Sequence, residues 1–226
     1  MNIALIPARG GSKRIPRKNI KNFFGKPIIA WTIELAIKSG CFDKVIVSTD
    51  DKEIAEVAEF YGAEIPFMRS EKLSDDHTVL NSVISDAIKR LNLDINYLCV
   101  ILPTAPLIQV EDIQRGLKEL ISKPDFAFAF TVTDFGFPIQ RALKIKNELV
   151  SMFEPSHINT RSQDLETAWH DAGQFYWGKP SSWLREIPMF GPKSIPIKLP
   201  RFRVQDIDSM EDWLRAEFIF KQINKL

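Results

Sequence analysis

The sequence predicts an α/β protein with a mainly parallel sheet flanked by helices. Short apolar runs alternate with amphipathic segments through residues 1–133, which is the pattern of successive βαβ units. The 226 residues suit a single domain with a core of ordinary size. From residue 134 to about residue 170 the alternation stops, and we expect this segment to form a small excursion, either a lid or a subunit contact.

The first half of the chain supplies the alternating elements. Apolar runs bounded by loop residues are predicted as buried strands, in the order 3–6, 44–48, 97–102 and 126–132. Segments with apolar residues at helical spacing are predicted as helices, in the order 27–39, 52–61, 79–91 and 110–121. Pro27 favours a helix start, Asp51 can cap the second helix, and Gly40 and Gly62 mark helix stops. A further apolar segment covers residues 65–68.

The second half departs from this rhythm. Residues 143–150 alternate weakly, as a hairpin would, and residues 154–171 are polar and irregular. Strands are predicted again at 175–177 and 195–199, before a closing amphipathic helix at 210–223. Ligands of parallel sheets bind beyond the carboxyl ends of the strands, so the important loops should be 7–19, 48–51, 69–78 and 103–109.

Composition narrows the class of protein. The 30 Lys and Arg residues balance 29 Asp and Glu residues, so the basic excess of a general nucleic-acid binder is missing. No apolar run approaches the roughly 18 residues of a membrane span, and the first residues lack a basic leader, so we expect a cytoplasmic protein away from the membrane. Cys41 and Cys99 lie beside apolar stretches and are predicted as buried thiols.

A basic loop follows the first predicted strand. Within residues 9–18 it carries five cations: Arg9, Lys13, Arg14, Arg17 and Lys18. Gly10 and Gly11 allow backbone N–H groups to approach a ligand closely. Backbone amides together with Lys and Arg are the donors that a triphosphate requires, although a solvated basic turn is the alternative. The spacing fits neither the dinucleotide fingerprint nor the P-loop.

Two carboxylates near the C-terminus form a candidate metal site. Asp206 and Asp208 are two residues apart, so on an extended segment their side chains share one face. Such a pair suits Mg²⁺, which also takes oxygens from a polyphosphate. The alternative is that Asp208 only caps the last helix.

The segment from Ala4 to Asn19 resembles the N-terminal signature of the cytidylyltransferases that activate nonulosonic (sialic-type) acids. That signature is an apolar strand, Pro-Ala-Arg-Gly-Gly-Ser-Lys, a short gap and Lys-Asn. Further matches to the family lie at residues 47–50, 69–76, 103–107 and 204–208. The resemblance implies a Rossmann-like nucleotidyltransferase sheet over residues 1–226 and a homodimer whose 134–170 excursion reaches the neighbouring subunit.

The resemblance also implies which residues bind the nucleotide. These are Ala8, Arg9, Gly10, Gly11, Ser12, Lys13, Lys18, Asn19, Arg69, Ser74 and Asp75. The implied catalytic residues are Arg9, Lys13, Lys18, Asp206 and Asp208, the last two as ligands of Mg²⁺.

The implied sugar-binding residues come from a later stretch. Residues 161–165 and 170–177 resemble the members of the family that act on pseudaminic acid. Many sialic acid members have Asn-Gly where this chain has Ala172-Gly173, and Gln where it has Leu102. The contacts implied for the nine-carbon acid are Thr104, Arg161, Gln163, His170 and Gln174.

The expected reaction is attack of the anomeric hydroxyl of pseudaminic acid on the α-phosphorus of CTP, with release of pyrophosphate. Legionaminic acid, sialic acid and Kdo stay open as alternative sugars. The alternative from another class is a non-catalytic nucleotide-binding protein, which would be expected to lack the basic loop or the Asp206 and Asp208 pair.

Overall fold

The computed structural model describes residues 1–225. In chain order the elements are β1 (Asn2–Pro7), β2 (Asn22–Phe23), β3 (Lys26–Pro27), α1 (Ile28–Lys38), β4 (Lys44–Ser48), α2 (Lys52–Phe60), α3 (Leu80–Leu91), β5 (Tyr97–Ile101), α4 (Val110–Ser122), β6 (Phe128–Asp134), β7 (Leu143–Lys146), β8 (Leu149–Met152), β9 (Trp169–Gly178), α5 (Pro180–Leu184), β10 (Ser194–Lys198) and α6 (Met210–Asn224).

The central sheet has six strands in the order β10-β6-β9-β5-β1-β4. The pairs β1–β4, β1–β5 and β6–β10 are parallel, whereas β9 runs antiparallel to both β5 and β6. The predicted α/β class with a mainly parallel sheet is therefore confirmed. Because β9 runs in the opposite direction, its first residues lie at the edge where β5 and β6 end.

Helices cover both faces of this sheet because side chains alternate along each strand. Ala4 and Ile6 of β1 pack in one core layer with α1 and α4. Ile3 and Leu5 pack in the opposite layer with α3. A third cluster joins Trp213 of α6 to residues of the loop that follows β1, so the last helix supports that loop.

Most predicted elements are found within a few residues of their expected bounds. The apolar segment 65–68 lies outside the strands, and the nearest pairing is a single bridge between Glu64 and Ile46. One expectation needs correction. Residues 154–171 were expected to be irregular, yet β9 begins at Trp169. Its first three residues, Trp169, His170 and Asp171, are exposed or half-buried at the open edge of the sheet, so they lack the apolar run that identifies a buried strand.

The excursion after β6 contains the predicted hairpin. Strands β7 and β8 are joined by Asn147 and Glu148, both with positive φ, as a tight hairpin turn requires. The register places Ile145 opposite Val150, so one face of the hairpin is apolar, while Lys144 and Lys146 lie on the other face with Leu149. In the described part of the chain, no helix is long and apolar enough to cross a membrane.

Candidate active site

A cleft of about 520 Å³ opens beyond the carboxyl ends of β1 and β5. Its position agrees with the rule for ligands of parallel sheets. The residues that line it come from four parts of the chain: Pro7, Arg9, Ser12, Lys13, Arg14, Lys18, Asn19, Asp76, Leu102, Pro103, Thr104, Asp206 and Asp208.

The basic loop is fixed by the packing of one apolar side chain and by a hydrogen bond between its two ends. Ile15, at its middle, is buried in the cluster that contains Trp213. Asn19 is buried, and its Nδ2 donates to the backbone oxygen of Arg9 at 2.9 Å, which ties the two ends of the loop together. The charged side chains are therefore carried by a fixed backbone.

The turn between β4 and α2 carries Asp50 and Asp51, and both carboxylates hold the basic loop. Asp50 accepts a hydrogen bond from the backbone N–H of Gly10 at 3.0 Å. Asp51 caps α2 by accepting from the N–H of Ile54 at 3.0 Å, which confirms the predicted cap. Asp51 also pairs with Arg17, and this hydrogen bond holds the pKa of the Asp51 carboxyl below its usual value.

Arg69 forms a buried wall behind the loop. Its side chain is only 4% exposed, and its Nη2 lies 3.5 Å from the carboxylate of Asp50. Its Nε donates to the hydroxyl of Ser74 at 3.1 Å. Burial lowers the pKa of Arg69, and the Asp50 carboxylate opposes this shift, so the guanidinium stays charged. Arg69 and Ser74 thus lie next to the cleft without lining it.

Asp76 lies on the side of the cleft that carries Arg9 and Lys13. Its Oδ1 lies 2.7 Å from Nη1 of Arg9, and its other oxygen contacts Nζ of Lys13. The neighbouring Asp75 has a different task, because its carboxylate accepts from the backbone of Thr78 at 2.7 Å and shapes the turn. Asp75 contacts the basic loop through its backbone oxygen, which accepts from Nη1 of Arg9 at 3.1 Å. Its role in nucleotide binding stays a prediction, and the sequence gives no sign that the Asp76 carboxylate is the one that faces the basic loop.

Asp206 and Asp208 face the basic loop across the cleft. Asp208 lies 2.8 Å from Nη2 of Arg14 and 3.6 Å from Nζ of Lys18. Lys18 also donates to the backbone oxygen of Ile207 at 2.6 Å. Partial enclosure in the cleft, and then the charge of Asp208, raise the pKa of Asp206.

The helix-cap alternative for Asp208 is wrong. Ser209 is the N-cap of α6, and its hydroxyl accepts from the N–H of Asp212 at 3.3 Å. Asp212 returns a bond by accepting from the N–H of Ser209 at 2.8 Å, which completes a capping box. The Asp208 side chain is therefore directed to the cleft rather than to the helix end.

The carboxylates of Asp206 and Asp208 suit a metal ion that is bound jointly by the protein and by a nucleotide. Among residues 1–225 there is no group of three or more His, Cys, Asp and Glu suited to hold a metal. Two carboxylates at the edge of a cleft nevertheless match Mg²⁺, which keeps several waters and completes its shell with substrate phosphates. Asp206 and Asp208 are thus suited to a shared protein–nucleotide site.

Two of the predicted sugar contacts lie at or behind the cleft. Thr104 is buried and lines it beside Leu102. Gln174 is buried beneath the segment that carries Asp206, and its Nε2 donates to the backbone oxygen of Arg203 at 3.0 Å. Its Oε1 has no hydrogen-bond partner in the part of the chain that the structure describes.

The other predicted sugar contacts are not brought to the cleft. Arg161 is exposed and pairs with Asp164 at 2.7 Å, and Gln163 is exposed in the same turn. His170 lines a separate cavity of about 500 Å³ together with Trp169. Its Nδ1 lies 2.8 Å from the backbone oxygen of Asp171. The roles of these three residues stay predictions.

The fold and the cleft together define a class of protein. A basic loop after the first strand faces two carboxylates at the carboxyl edge of a mainly parallel sheet, which is the arrangement of a nucleotide-binding α/β protein. A family model described as cytidylyltransferase matches residues 3–218. The chain belongs to this cytidylyltransferase family of enzymes.

Individual relatives agree with that assignment. The chain is 45% identical over 224 residues to the pseudaminic acid cytidylyltransferase of Campylobacter jejuni, covering 97% of this chain and 96% of the relative. It is 35% identical over 206 residues to a two-activity pseudaminic acid cytidylyltransferase and hydrolase of Helicobacter pylori, covering 91% of this chain and 40% of the relative. A structure of CMP:2-keto-3-deoxy-manno-octonic acid synthetase complexed with CTP shares the fold, with a TM-score of 0.75, 14% identity and coverage of 98% and 99%.

Proposed function

We propose that the protein transfers CMP from CTP to the anomeric hydroxyl of pseudaminic acid and releases pyrophosphate. The observation that carries this proposal is the cleft in which Arg9, Lys13, Arg14 and Lys18 face Asp206 and Asp208. The 45% identity to the Campylobacter jejuni pseudaminic acid cytidylyltransferase supports the choice of base and sugar.

The side chains of the cleft act by position and charge. Arg9 and Lys13 hold the phosphates that leave, and they stabilise the charge that grows there in the transition state. Lys18, fixed by its bond to the backbone of Ile207, holds the reacting end beside Asp208. When bound by Asp206 and Asp208, Mg²⁺ would supply Lewis-acid stabilisation of phosphate oxygens. Little covalent chemistry falls to the protein, so alignment of the two substrates dominates.

The choice of pseudaminic acid rests on the wall of the cleft as well as on the relatives. Leu102 lines the cleft where many sialic acid members have Gln, so an apolar surface replaces an amide. Thr104 beside it provides a hydroxyl for the acid. Gln174 lies behind this wall with a buried amide oxygen that has no partner in the described residues, so an acylamino N–H would bond to it only if the segment that carries Asp206 moved aside.

We also propose a homodimer in which the excursion docks on a second copy of the chain. The excursion exposes large apolar side chains, and those outside the Lys144 face of the hairpin are Phe135, Phe137, Ile139, Leu143, Ile145, Val150, Phe153 and Ile158. A monomer seldom leaves so many apolar side chains together in water.

We place the protein in the cytoplasm. Cys41 and Cys99 are free thiols, and free thiols are usual in the reducing cytoplasm.

Pyrophosphate release tests the reaction. The protein is incubated with CTP and Mg²⁺, and pseudaminic acid, legionaminic acid, N-acetylneuraminic acid and Kdo are offered in parallel. We expect release with pseudaminic acid alone. Preference for another acid would change the assigned sugar, and tight CTP binding without release for any acid would favour the non-catalytic alternative.

Variants of the cleft test the assigned residues in the same assay. Arg9→Ala and Asp208→Ala should each lower turnover by about 100-fold or more, because each removes charge stabilisation at the reacting phosphates. Arg185→Ala and Asp125→Ala are matched controls, since both side chains are exposed and lie outside the cleft. Near-normal turnover of either cleft variant would refute the role given to that residue.

A further inference from the structure

The cations of the cleft are already paired with carboxylates in the protein alone. Arg14 and Lys18 lie beside Asp208, which also belongs to the candidate metal pair. Arg9 and Lys13 lie beside Asp76, which belongs to no other part of the site. The Nη1 of Arg9 also donates to the backbone oxygen of Asp75 at 3.1 Å. A triphosphate that binds here therefore competes with the Asp76 carboxylate for Nη1 of Arg9 and Nζ of Lys13.

The side chain of Asp76 is free to make this exchange. The turn that carries it is shaped by Asp75, whose carboxylate accepts from the N–H groups of His77 and Thr78 at 3.0 and 2.7 Å. Within residues 1–225, the carboxylate of Asp76 contacts only the two cations of the basic loop. It is 36% exposed at the wall of the cleft, so it can leave the cations without breaking the turn.

We propose that Asp76 is a competing counter-ion, which occupies Arg9 and Lys13 whenever no phosphate does and so limits how tightly pyrophosphate is held. The identity of the phosphates rests on the proposed function. Asp76 is tethered beside the cations, so its effective concentration there is high, and it returns as pyrophosphate leaves. While the cleft is empty, this contact orients Lys13, and together with the Asp75 backbone oxygen it orients Arg9.

The charges at this point agree with such an exchange. Hydrogen bonds from Lys13 and then from Arg9 hold the pKa of the Asp76 carboxyl below its usual value, so Asp76 stays ionised at neutral pH. An ion pair at an exposed position stabilises a protein only modestly, so phosphate oxygens that carry more charge can displace it. Asp76 therefore weakens phosphate binding without preventing it.

Calorimetric titration with inorganic pyrophosphate in Mg²⁺-free buffer tests the proposal. Asp76→Asn removes the competing charge and should bind pyrophosphate about two- to fivefold more tightly than the unaltered protein. Asp76→Glu keeps the charge and should stay close to the unaltered protein. Asp86→Asn is the matched control, since it makes the same change of net charge at a partly exposed helix pair with Arg90, away from the cleft.

Two results would overturn the proposal. Equal or weaker pyrophosphate binding by Asp76→Asn would make Asp76 a fixed part of the phosphate cradle. An equal gain in Asp86→Asn would assign the effect to net charge alone. Asp76→Ala is titrated in parallel, so the test stands if the Asn variant does not fold. The titration needs no turnover, so tighter binding without CMP transfer to any acid would retain this proposal and remove the proposed function.

Discussion

Gly10 shows how closely the basic loop packs against the start of α2. A Cβ atom built on Gly10 would lie 2.7 Å from Oδ2 and 2.9 Å from Cβ of Asp51. Asp51 has little freedom to withdraw, because it caps α2 and pairs with Arg17. A Cβ on Gly11 would meet no atom within 4 Å among the described residues. The two adjacent glycines therefore serve different purposes.

Alanine substitutions at Gly10 and Gly11 test which of the two glycines is required for packing against Asp51. Gly10→Ala should destabilise the protein by about 1–3 kcal/mol and lower its Tm by about 3–10 °C, because the new methyl group overlaps Asp51. Gly11→Ala should stay within about 0.5 kcal/mol of the unaltered protein. Thermal denaturation without nucleotide measures both variants. Equal Tm shifts would contradict the packing described here.

For individual residues, the sequence predicts contacts between side chains that lie near one another in the chain. The clustered cations of the basic loop and the cap at Asp51 were predictable, because each depends on local spacing. The contact of Asp76 with Arg9 was not, because the two residues are 67 positions apart and meet only through the order of the strands. The pairing of Arg14 with Asp208 was missed for the same reason.

Among the elements, β9 has the largest effect on the site. Its pairing with β6 shifts between Phe130 and Val132, and Gly173 lies opposite this irregularity with φ at +60°. Asp171 accepts from the N–H of Gly173 at 2.9 Å and from the hydroxyl of Tyr176 at 2.7 Å. Burial and then the Asp171 carboxylate raise the pKa of Tyr176, so its hydroxyl remains a donor.

This bulge lies directly against the candidate metal ligand. Gly173→Ala should destabilise the protein by about 1–2 kcal/mol, because alanine resists the left-handed conformation. The new methyl group would lie in ordinary contact with Asp206, 3.6 Å from its Cγ. Relaxation of the strained φ would shift the bulge against that side chain, so we also expect a higher Mg²⁺ concentration for half-maximal turnover. Gly25→Ala is the control, since Gly25 also has positive φ and has open space around it.

Comparison of the two variants decides whether the bulge matters to the site. Both should lower Tm, and only Gly173→Ala should change the Mg²⁺ dependence. An unchanged Mg²⁺ dependence would show that Asp206 does not depend on this contact.

The apolar residues 175–177 made part of β9 predictable from the sequence. The direction of β9 and its partly exposed beginning were not predictable, because both depend on pairing with β5 and β6.

For the whole molecule, the exposed apolar face of the excursion has no partner within the described part of a single chain. The apolar hairpin face contains Leu143, Ile145 and Val150, exposed by 60%, 75% and 63%. Its outline was predictable from weak alternation, whereas the face that it presents depends on the register. A second copy of the chain is the partner that we propose for this face.

Charges placed on the hairpin test the dimer. Ile145→Asp combined with Val150→Asp should convert the protein to a monomer of 25.9 kDa, because burying two carboxylates in an apolar contact is costly. Leu149→Asp is the control, since Leu149 lies on the opposite face. Light scattering coupled to size exclusion gives the mass. A monomeric unaltered protein, or a dimeric double variant, would contradict the proposed contact.

The place of β9 between β5 and β6 has a consequence for synthesis on the ribosome. A nascent chain that has reached residue 134 contains β5 and β6, yet the strand that joins them ends only at Gly178. At usual elongation rates the intervening residues take roughly two to nine seconds to emerge. During that interval both strands present unpaired edges, which are the surfaces on which chains associate with one another. We therefore expect newly made copies to be especially vulnerable to aggregation, and in need of chaperones, just before β9 joins β5 to β6.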